Sequence, residues 1–413
     1  MSYDNLLNKL QRLYESMNQQ PPIDDEDPET EYHNDNVRAT ADFNHHEGSP
    51  DEYDLRADGS DEDIPDHIQV PDGEYPVDDQ LPKDGLPEDK SLKTCGSIFS
   101  GIGGWEYGAK QVGLTPIFAF EYHQKYANAY TKSHGDHVTV GDVKQTKDQL
   151  KHSSVDVLFS SPPCQNYSVA KMNKNDEKPD SAKDVGLVTI EIAKKTNAKV
   201  ILMENVVAYL ESPVLNTIIE QLSPLYHIHT QTVDCSKYGC PTTRLRMLAT
   251  FVRKDLFDAP FVPKPTNEKK DAPSWYSQVE DLIPQLKPGK LSPWQKARLD
   301  RWGIDKLTFP LQISGNNASS TSFKAGKNVR VFRQATEPSF TIVKSWRAMQ
   351  QTRILFQDGK VLEANPHCFA RWQSFPDAIF KNLPDDLQTA TEMIGNAVPP
   401  QLCVNVLTQL KSI

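Results

Sequence analysis

The stretch Thr94-Cys95-Gly96-Ser97-Ile98-Phe99-Ser100-Gly101-Ile102-Gly103-Gly104 reads as a short apolar strand that runs into a glycine turn, and the helical pattern after it is closed by Gly113. Glycines allow a tight turn and a close approach of backbone to a ligand, although such a turn can equally be a packing solution. Outward from it, apolar runs at residues 116–120, 137–140, 155–159 and 199–203 alternate with helical stretches. That alternation predicts an α/β domain built on a parallel sheet with crossover helices. Further strand-like runs at residues 228–233 and 247–252 suggest that the sheet continues.

In an open α/β sheet ligands bind outside the carboxyl ends of the strands, so the residue after each run is where chemistry is expected. Glu121 follows the second run, at the spacing from the first glycine where an acid reaches a ribose hydroxyl pair. Gly141-Asp142 follows the third, placing a second carboxylate where it could accept from an adenine amino group; either acid could instead cap a helix. With the glycine turn, they read as an adenosine-type cofactor site. The fourth run leads into Ser160-Ser161-Pro162-Pro163-Cys164-Gln165-Asn166-Tyr167-Ser168, in which two prolines stiffen the approach to a thiol. Cys164 there is either a nucleophile or a small buried hydrophobe. The fifth ends in Met203-Glu204-Asn205-Val206, a carboxyl group that partial burial could fit to donate a proton near neutrality.

The formal net charge of −11 argues at face value against a nucleic-acid partner. The average hides two unlike parts. Residues 1–90 hold 26 acidic and 6 basic side chains, a net of −20, so residues 91–413 carry +9. Residues 3–17 place Leu6, Leu10, Leu13 and Met17 on one helical stripe, as a docking helix or one that folds back on its own body. Residues 18–90 have too few apolar groups to offset ordering entropy and read as disordered, a solubilising linker or a competitor of DNA for the basic body. Six scattered cysteines without framework or zinc spacing point to a reducing compartment, and no metal is expected. Lacking a signal peptide pattern or an 18-residue apolar stretch, the chain is expected to be cytoplasmic, away from membranes.

Five blocks together resemble the DNA (cytosine-5) methyltransferases, in that family's order and over nearly all of residues 93–413. FSGIGG is similar to the cofactor motif, SPPCQNYS to the nucleophile motif, MENV to the acid motif, YGCPTTRLR to the arginine motif and IGNAVPP to the closing motif. The resemblance implies a Rossmann-like S-adenosylmethionine-binding domain at residues 91–252, a small DNA-recognition domain at 253–335 and a return to the first domain at 336–413. Residues 253–333 hold 15 basic and 8 acidic side chains, which suits phosphate contact, though a solvated basic surface would look the same. Gly315 to Thr321 forms a polar loop able to approach a groove.

By the same resemblance, Cys164 adds to carbon 6 of a cytosine flipped out of duplex DNA, and Glu204 holds ring nitrogen 3. Carbon 5 then accepts the methyl group, leaving S-adenosylhomocysteine. Arg246 is implied to contact the base carbonyl and Arg244 to support the pocket, while Ser168 orders the catalytic loop. Phe99 and Tyr122 would sandwich the adenine. Ser100, Gly101, Gly103, Gly104 and Pro163 join Glu121 and Asp142 in the cofactor site, and Asn396 faces its methionine end or else caps the helix after Pro399. A monomer is expected, and a companion restriction endonuclease is allowed but not required. Two positions depart from the pattern. Thr242 stands where glutamine is usual, which puts the DNA-side support of the arginine loop in doubt, and Cys368 where glutamate is usual. The rival readings are a tRNA cytosine-5 methyltransferase on the same scaffold and an inactive DNA-binding homologue.

Overall fold

The computed structural model describes residues 90–150, 154–163, 185–315 and 330–413. Its first half alternates β1 (Thr94–Ile98), α1 (Gly104–Gln111), β2 (Thr115–Glu121), α2 (Gln124–His134), β3 (Val138–Val140), α3 (Val143–Thr146) and β4 (Val157–Ser160). The alternation goes on through α4 (Val188–Lys195), β5 (Val200–Asn205), α5 (Pro213–Leu222), β6 (Tyr226–Asp234) and β7 (Leu245–Arg253). The seven strands form one sheet in the order β3-β2-β1-β4-β5-β7-β6.

Five of the strands, β3, β2, β1, β4 and β5, run parallel. β7 is antiparallel to both β5 and β6, so the expectation of a parallel sheet fails for this one strand. Residues 235–244 are too few for the crossover a parallel neighbour needs, and the chain turns straight back between β5 and β6.

Both faces of the sheet are apolar because both are covered. Val157, Phe159, Val200 and Leu202 face one side, while Leu158, Ile201 and Met203 face the other. The second face packs on α4 and α5 through Val188, Ile192, Leu215 and Ile218. Ser212 starts α5 by accepting from Leu215 N at 3.1 Å, with Pro213 in the first turn, where its missing N–H costs nothing.

The remaining elements are α6 (Pro293–Trp302), β8 (Leu311–Ile313), β9 (Phe332–Gln334), α7 (Trp346–Met349), β10 (Arg353–Leu355), β11 (Val361–Glu363), α8 (Pro366–Trp372), α9 (Leu387–Asn396) and α10 (Pro400–Leu410). β8 to β11 make a second, antiparallel sheet in the order β11-β10-β8-β9, whose core is Leu299, Leu311, Ile313, Phe332 and Leu355. Two of its strands lie beyond residue 335, so a boundary drawn there, where the basic excess ends, would cut the sheet. The final helix, α10, lies on the first face of the large sheet with α1, burying Leu402, Cys403, Val406 and Leu407. The amphipathic stripe at 3–17 and the acidic segment, up to residue 89, lie outside the described residues, as do most of the polar loop at 315–321, Cys164 and Ser168. No helix among the described residues is long and apolar enough to cross a membrane.

Candidate active site

The turn after β1 is held by its neighbour. Ser100 N and Oγ both donate to the carbonyl of Phe120, at 3.0 and 3.2 Å. Phe99 sits at φ 60°, an uncommon conformation for a bulky residue, and is half-buried. Glu121, buried at the tip of β2, accepts from Gly101 N through one oxygen and from His123 N through the other, each at 2.8 Å. Each oxygen keeps a lone pair for a further donor. Burial pushes its carboxyl above the usual range.

The glycines of the turn serve different ends. Gly101 has φ 57° and nothing within 4 Å of where a side chain would begin, an open cradle of backbone suited to a ligand. A side chain at Gly103 would strike the ring of His134, and one at Gly104 would strike the carbonyl of Val398. Those two positions are packing requirements, and the second brings the closing IGNAVPP segment against the cofactor turn. Beside the cradle Tyr122 is 66% exposed, leaving its ring available to a flat ligand. Asp142 is the N-cap of α3, accepting from Lys144 N at 2.9 Å through one oxygen; the helix-capping role and a further contact through the other oxygen are compatible.

The tips of β4 and β5 are tied together. Asn205 Nδ2 donates to the carbonyl of Pro162 at 2.9 Å, which fixes the chain just before Cys164, while Pro163 is exposed. Trp105 of α1 donates from Nε1 to Ser161 Oγ at 3.2 Å, fastening the same loop from the other side. Next to Asn205, Glu204 is buried with Arg246 Nε 3.0 Å from its Oε1, a charge contact without hydrogen-bond alignment. The Oε1 acceptor is therefore unspent at a strand tip.

The two arginines of the same motif differ. Arg246 borders Glu204, whereas Arg244 is 2% exposed and donates to the carbonyls of Ile342 (2.9 Å), Gly395 (3.1 Å) and Ala397 (3.3 Å). Arg244 thus staples the segment that leaves the small sheet to the end of α9. Gln373 adds to this clamp, donating to Ile394 O and Ala397 O. Asn396 is the last residue of α9, not a cap of α10; it is exposed, and its Nδ2 donates to the Tyr126 hydroxyl at 3.1 Å. Tyr126 was not visible as a site residue, because nothing in the sequence pairs positions 270 apart.

Thr242 is fully buried, its hydroxyl donating to Phe340 O at 2.8 Å, and it bridges to Ser339. The arginine loop is supported there by the Thr242 hydroxyl and by backbone bonds, from Thr243 N to Ser339 O and from Ser339 N to Pro241 O. Cys368 is buried and burial pushes its thiol up to about 11, while neighbouring Arg371 is bound by Asp281 and Asp377. All five described cysteines, Cys95, Cys235, Cys240, Cys368 and Cys403, are free and fully buried. Such thiols are poor nucleophiles.

The basic excess of residues 253–333 is less exposed than its count implies. Arg253, Arg298 and Arg333 are buried, and Arg330 is paired with Glu337 at 2.7 Å. Lys287, Lys290 and Lys296 are exposed and form part of what remains for a phosphate.

The family model for C-5 cytosine-specific DNA methylase matches residues 94–412. The chain is 25% identical over 358 residues to Type II methyltransferase M1.HgaI of Avibacterium volantium, covering 76% of this chain and 97% of that one. It is 27% identical over 335 residues to Type II methyltransferase M.FnuDI of Fusobacterium nucleatum, covering 76% and 93%. Among solved structures, DNMT2 of Spodoptera frugiperda superposes with a TM-score of 0.53 at 18% identity, over 77% of this chain and 99% of that one.

Proposed function

Because the chain belongs to the C-5 cytosine-specific DNA methylase family and is a DNA cytosine-5 methyltransferase, we propose that it modifies a cytosine flipped out of duplex DNA through a covalent adduct with Cys164. The reading is of the Type II kind, methylation within one short DNA word, with a companion endonuclease allowed and not required. The small sheet and its exposed lysines serve as the DNA-recognition unit.

A cytosine ring is too electron-poor at carbon 5 to attack a methyl donor unaided. The Cys164 thiolate forms a bond to carbon 6, and the electron pair displaced from the ring double bond is stabilised by a proton from Glu204 on nitrogen 3. Arg246, against Glu204, faces the same base at its carbonyl oxygen, and Arg244 holds the pocket's backbone. After carbon 5 has gained the methyl group, a base removes its proton, the ring double bond re-forms and the thiolate leaves. Five buried thiols leave Cys164 as the candidate. Bound S-adenosylmethionine would supply the methyl group. The Gly101 cradle, Glu121, Phe99, Tyr122, Asp142 and Asn396 fit its adenosine and amino-acid parts.

The observation that carries the proposal is the buried contact of Glu204 with Arg246, beside the loop that Asn205 anchors just before Cys164. Incubation with S-adenosylmethionine and duplex DNA containing 5-fluorocytosine tests it, since fluorine cannot leave as the proton does and the adduct is trapped. A denaturation-resistant complex mapping to Cys164 is expected. Labelling at another residue, or transfer to tRNA with none to DNA of varied sequence, would overturn it.

A further inference from the structure

Near the glycine turn lies one contact that the functional reading leaves unused. Tyr122, His123 and Tyr126 form a row of rings, with centroids 5.0 and 5.5 Å apart, leading from the exposed ring next to Glu121 to the end of α9. There the Tyr126 hydroxyl meets Asn396 Nδ2 at 3.1 Å. The backbone around Asn396 is already fixed on both sides, by Arg244 on the carbonyls of Gly395 and Ala397 and by Gln373 on those of Ile394 and Ala397. An exposed asparagine at a helix end does not need its side chain held as well.

A carboxamide offers one acceptor oxygen and one donor nitrogen in two flipped states of nearly the same shape, and here the Tyr126 hydroxyl accepts from the nitrogen, which leaves the oxygen for a ligand. We propose that Tyr126 is a positioning residue that takes Nδ2 of Asn396 and so turns Oδ1 outward as an acceptor for the ammonium of the cofactor's amino-acid end. This rests on the cofactor reading given above. The phenol is suited to the task, since burial pushes it up to about 12 and it stays neutral, bringing no charge to the ligand. Glu121 ends β2 and Tyr126 lies in the first turn of α2, so the ribose end and the amino-acid end of one ligand are met five residues apart on the chain.

A tie that merely joined α2 to α9 would affect every ligand of the cleft alike, which makes the inference separable. The full-length protein and the variants Tyr126→Phe, Asn396→Ala and the double variant are titrated calorimetrically with two ligands. S-adenosylhomocysteine carries the amino-acid end, and 5′-methylthioadenosine lacks it. Tyr126→Phe is expected to weaken S-adenosylhomocysteine about five- to tenfold, the worth of one oriented hydrogen bond, and 5′-methylthioadenosine by less than about twofold. Asn396→Ala is expected to show the same selectivity, and the double variant to be no weaker than Asn396→Ala alone, because the two residues act as one unit. Equal weakening of both ligands, no weakening of either, or additive losses would overturn the inference while leaving the cofactor reading in place. Wild-type protein that binds neither ligand would end the cofactor reading and this inference with it. Should Tyr126→Phe fail to fold, the exposed Asn396→Ala must still lose S-adenosylhomocysteine selectively, or the proposal falls.

Discussion

In the parallel strands of the seven-stranded sheet the carboxylates gather where strands stop. Glu121 and Glu204 lie in the last turn of apolar runs whose interiors are buried on both faces, and Asp142 follows β3 by two residues. In the four-stranded sheet polar side chains lie mid-strand and inside. Gln312 donates to Ser339 Oγ at 2.8 Å and accepts from Phe340 N at 3.2 Å, and Arg333, 4% exposed, lies over the Phe340 ring with its carbon 4.4 Å from the centroid. In β2, β4 and β5, covered on both faces, polar groups stand at the ends, where ligands arrive. Three-residue strands have no such interior, so their polar side chains join the small sheet to the arginine loop.

The contrast breaks most easily at Glu204. If strand-tip acids do the chemistry, Glu204→Gln lowers kcat by about 10²- to 10⁴-fold while the carboxamide keeps shape and burial. Steady-state methyl transfer, with S-adenosylhomocysteine affinity measured alongside, checks this. Unchanged turnover would make Glu204 a packing residue and remove the distinction between tip and interior.

Arg244 tests the joining role. Arg244→Met leaves the carbonyls of Ile342 and Gly395 without their donor in a buried place, and a loss of about 3 kcal/mol in denaturant unfolding is expected. Wild-type stability would mean that Arg244 works on the substrate and that the two sheets are held together elsewhere.

How legible each region was in the sequence follows from the same physics. FSGIGG, Glu121, Pro162-Pro163 and Glu204 stood out as strand-end positions, because a mostly apolar strand makes a polar residue at its end conspicuous, whereas the arginine motif was picked out only by its family resemblance. The reversal of β7 could not be read, since apolar runs carry no direction and only the ten residues before it hinted at a turn. The β10–β11 hairpin was hidden by its brevity, and the charge count over residues 253–333 treated Arg253, Arg298 and Arg333 as if they faced water. What demands glycine at Gly103 and Gly104 is the ring of His134 and the carbonyl of Val398, a packing need that no local pattern distinguishes from a ligand's. Contacts such as Tyr126 with Asn396 depend on the return of the C-terminal segment, which local patterns do not encode.

A buried carboxyl on a helix that covers the large sheet sharpens the comparison. Glu106 of α1 is 1% exposed, accepts from Ser97 Oγ and from Tyr130 OH, and leaves Oε2 without a hydrogen bond; burial raises it from 4.5 to about 7. Between those values the folded protein holds a proton that the unfolded chain has released, so stability falls as pH rises through that window. Nearby His134, under Gly103, is lowered by burial and then by Lys110 from 6.5 to about 3, so the unfolded chain binds the extra proton and stability falls as pH drops below 6.5. The two slopes oppose each other between pH 4.5 and 6.5. Glu106→Gln is expected to unmask the histidine slope there and to gain on the order of 2–3 kcal/mol relative to wild type at pH 8. Unfolding midpoints at pH 5, 6.5 and 8 measure both; a variant that tracks wild type at all three would mean that the carboxylate is solvated and the interior less dry than its burial implies.

The smallest effect belongs to the surface of the small sheet, where the count of cations must be divided into those that hold the fold and those that can meet a phosphate. Lys287 and Lys290 are exposed beside β10 and β11, and their backbones, not their charges, are what the sheet uses: Glu363 N donates to Lys287 O at 2.9 Å and Arg353 Nε to Lys290 O at 3.2 Å. Replacing both with glutamine therefore leaves stability within about 0.5 kcal/mol. If each neutralises a phosphate, the slope of log affinity for duplex DNA against log salt becomes shallower by about 0.9 per lysine, and binding weakens a fewfold for every sequence alike. Buried Arg298 should behave oppositely, with Arg298→Met lowering stability and leaving the salt slope alone. A salt slope that responds to Arg298 and ignores the two lysines would place the DNA on another face of the small sheet, and the division between interior glue and exposed charge would have to be redrawn.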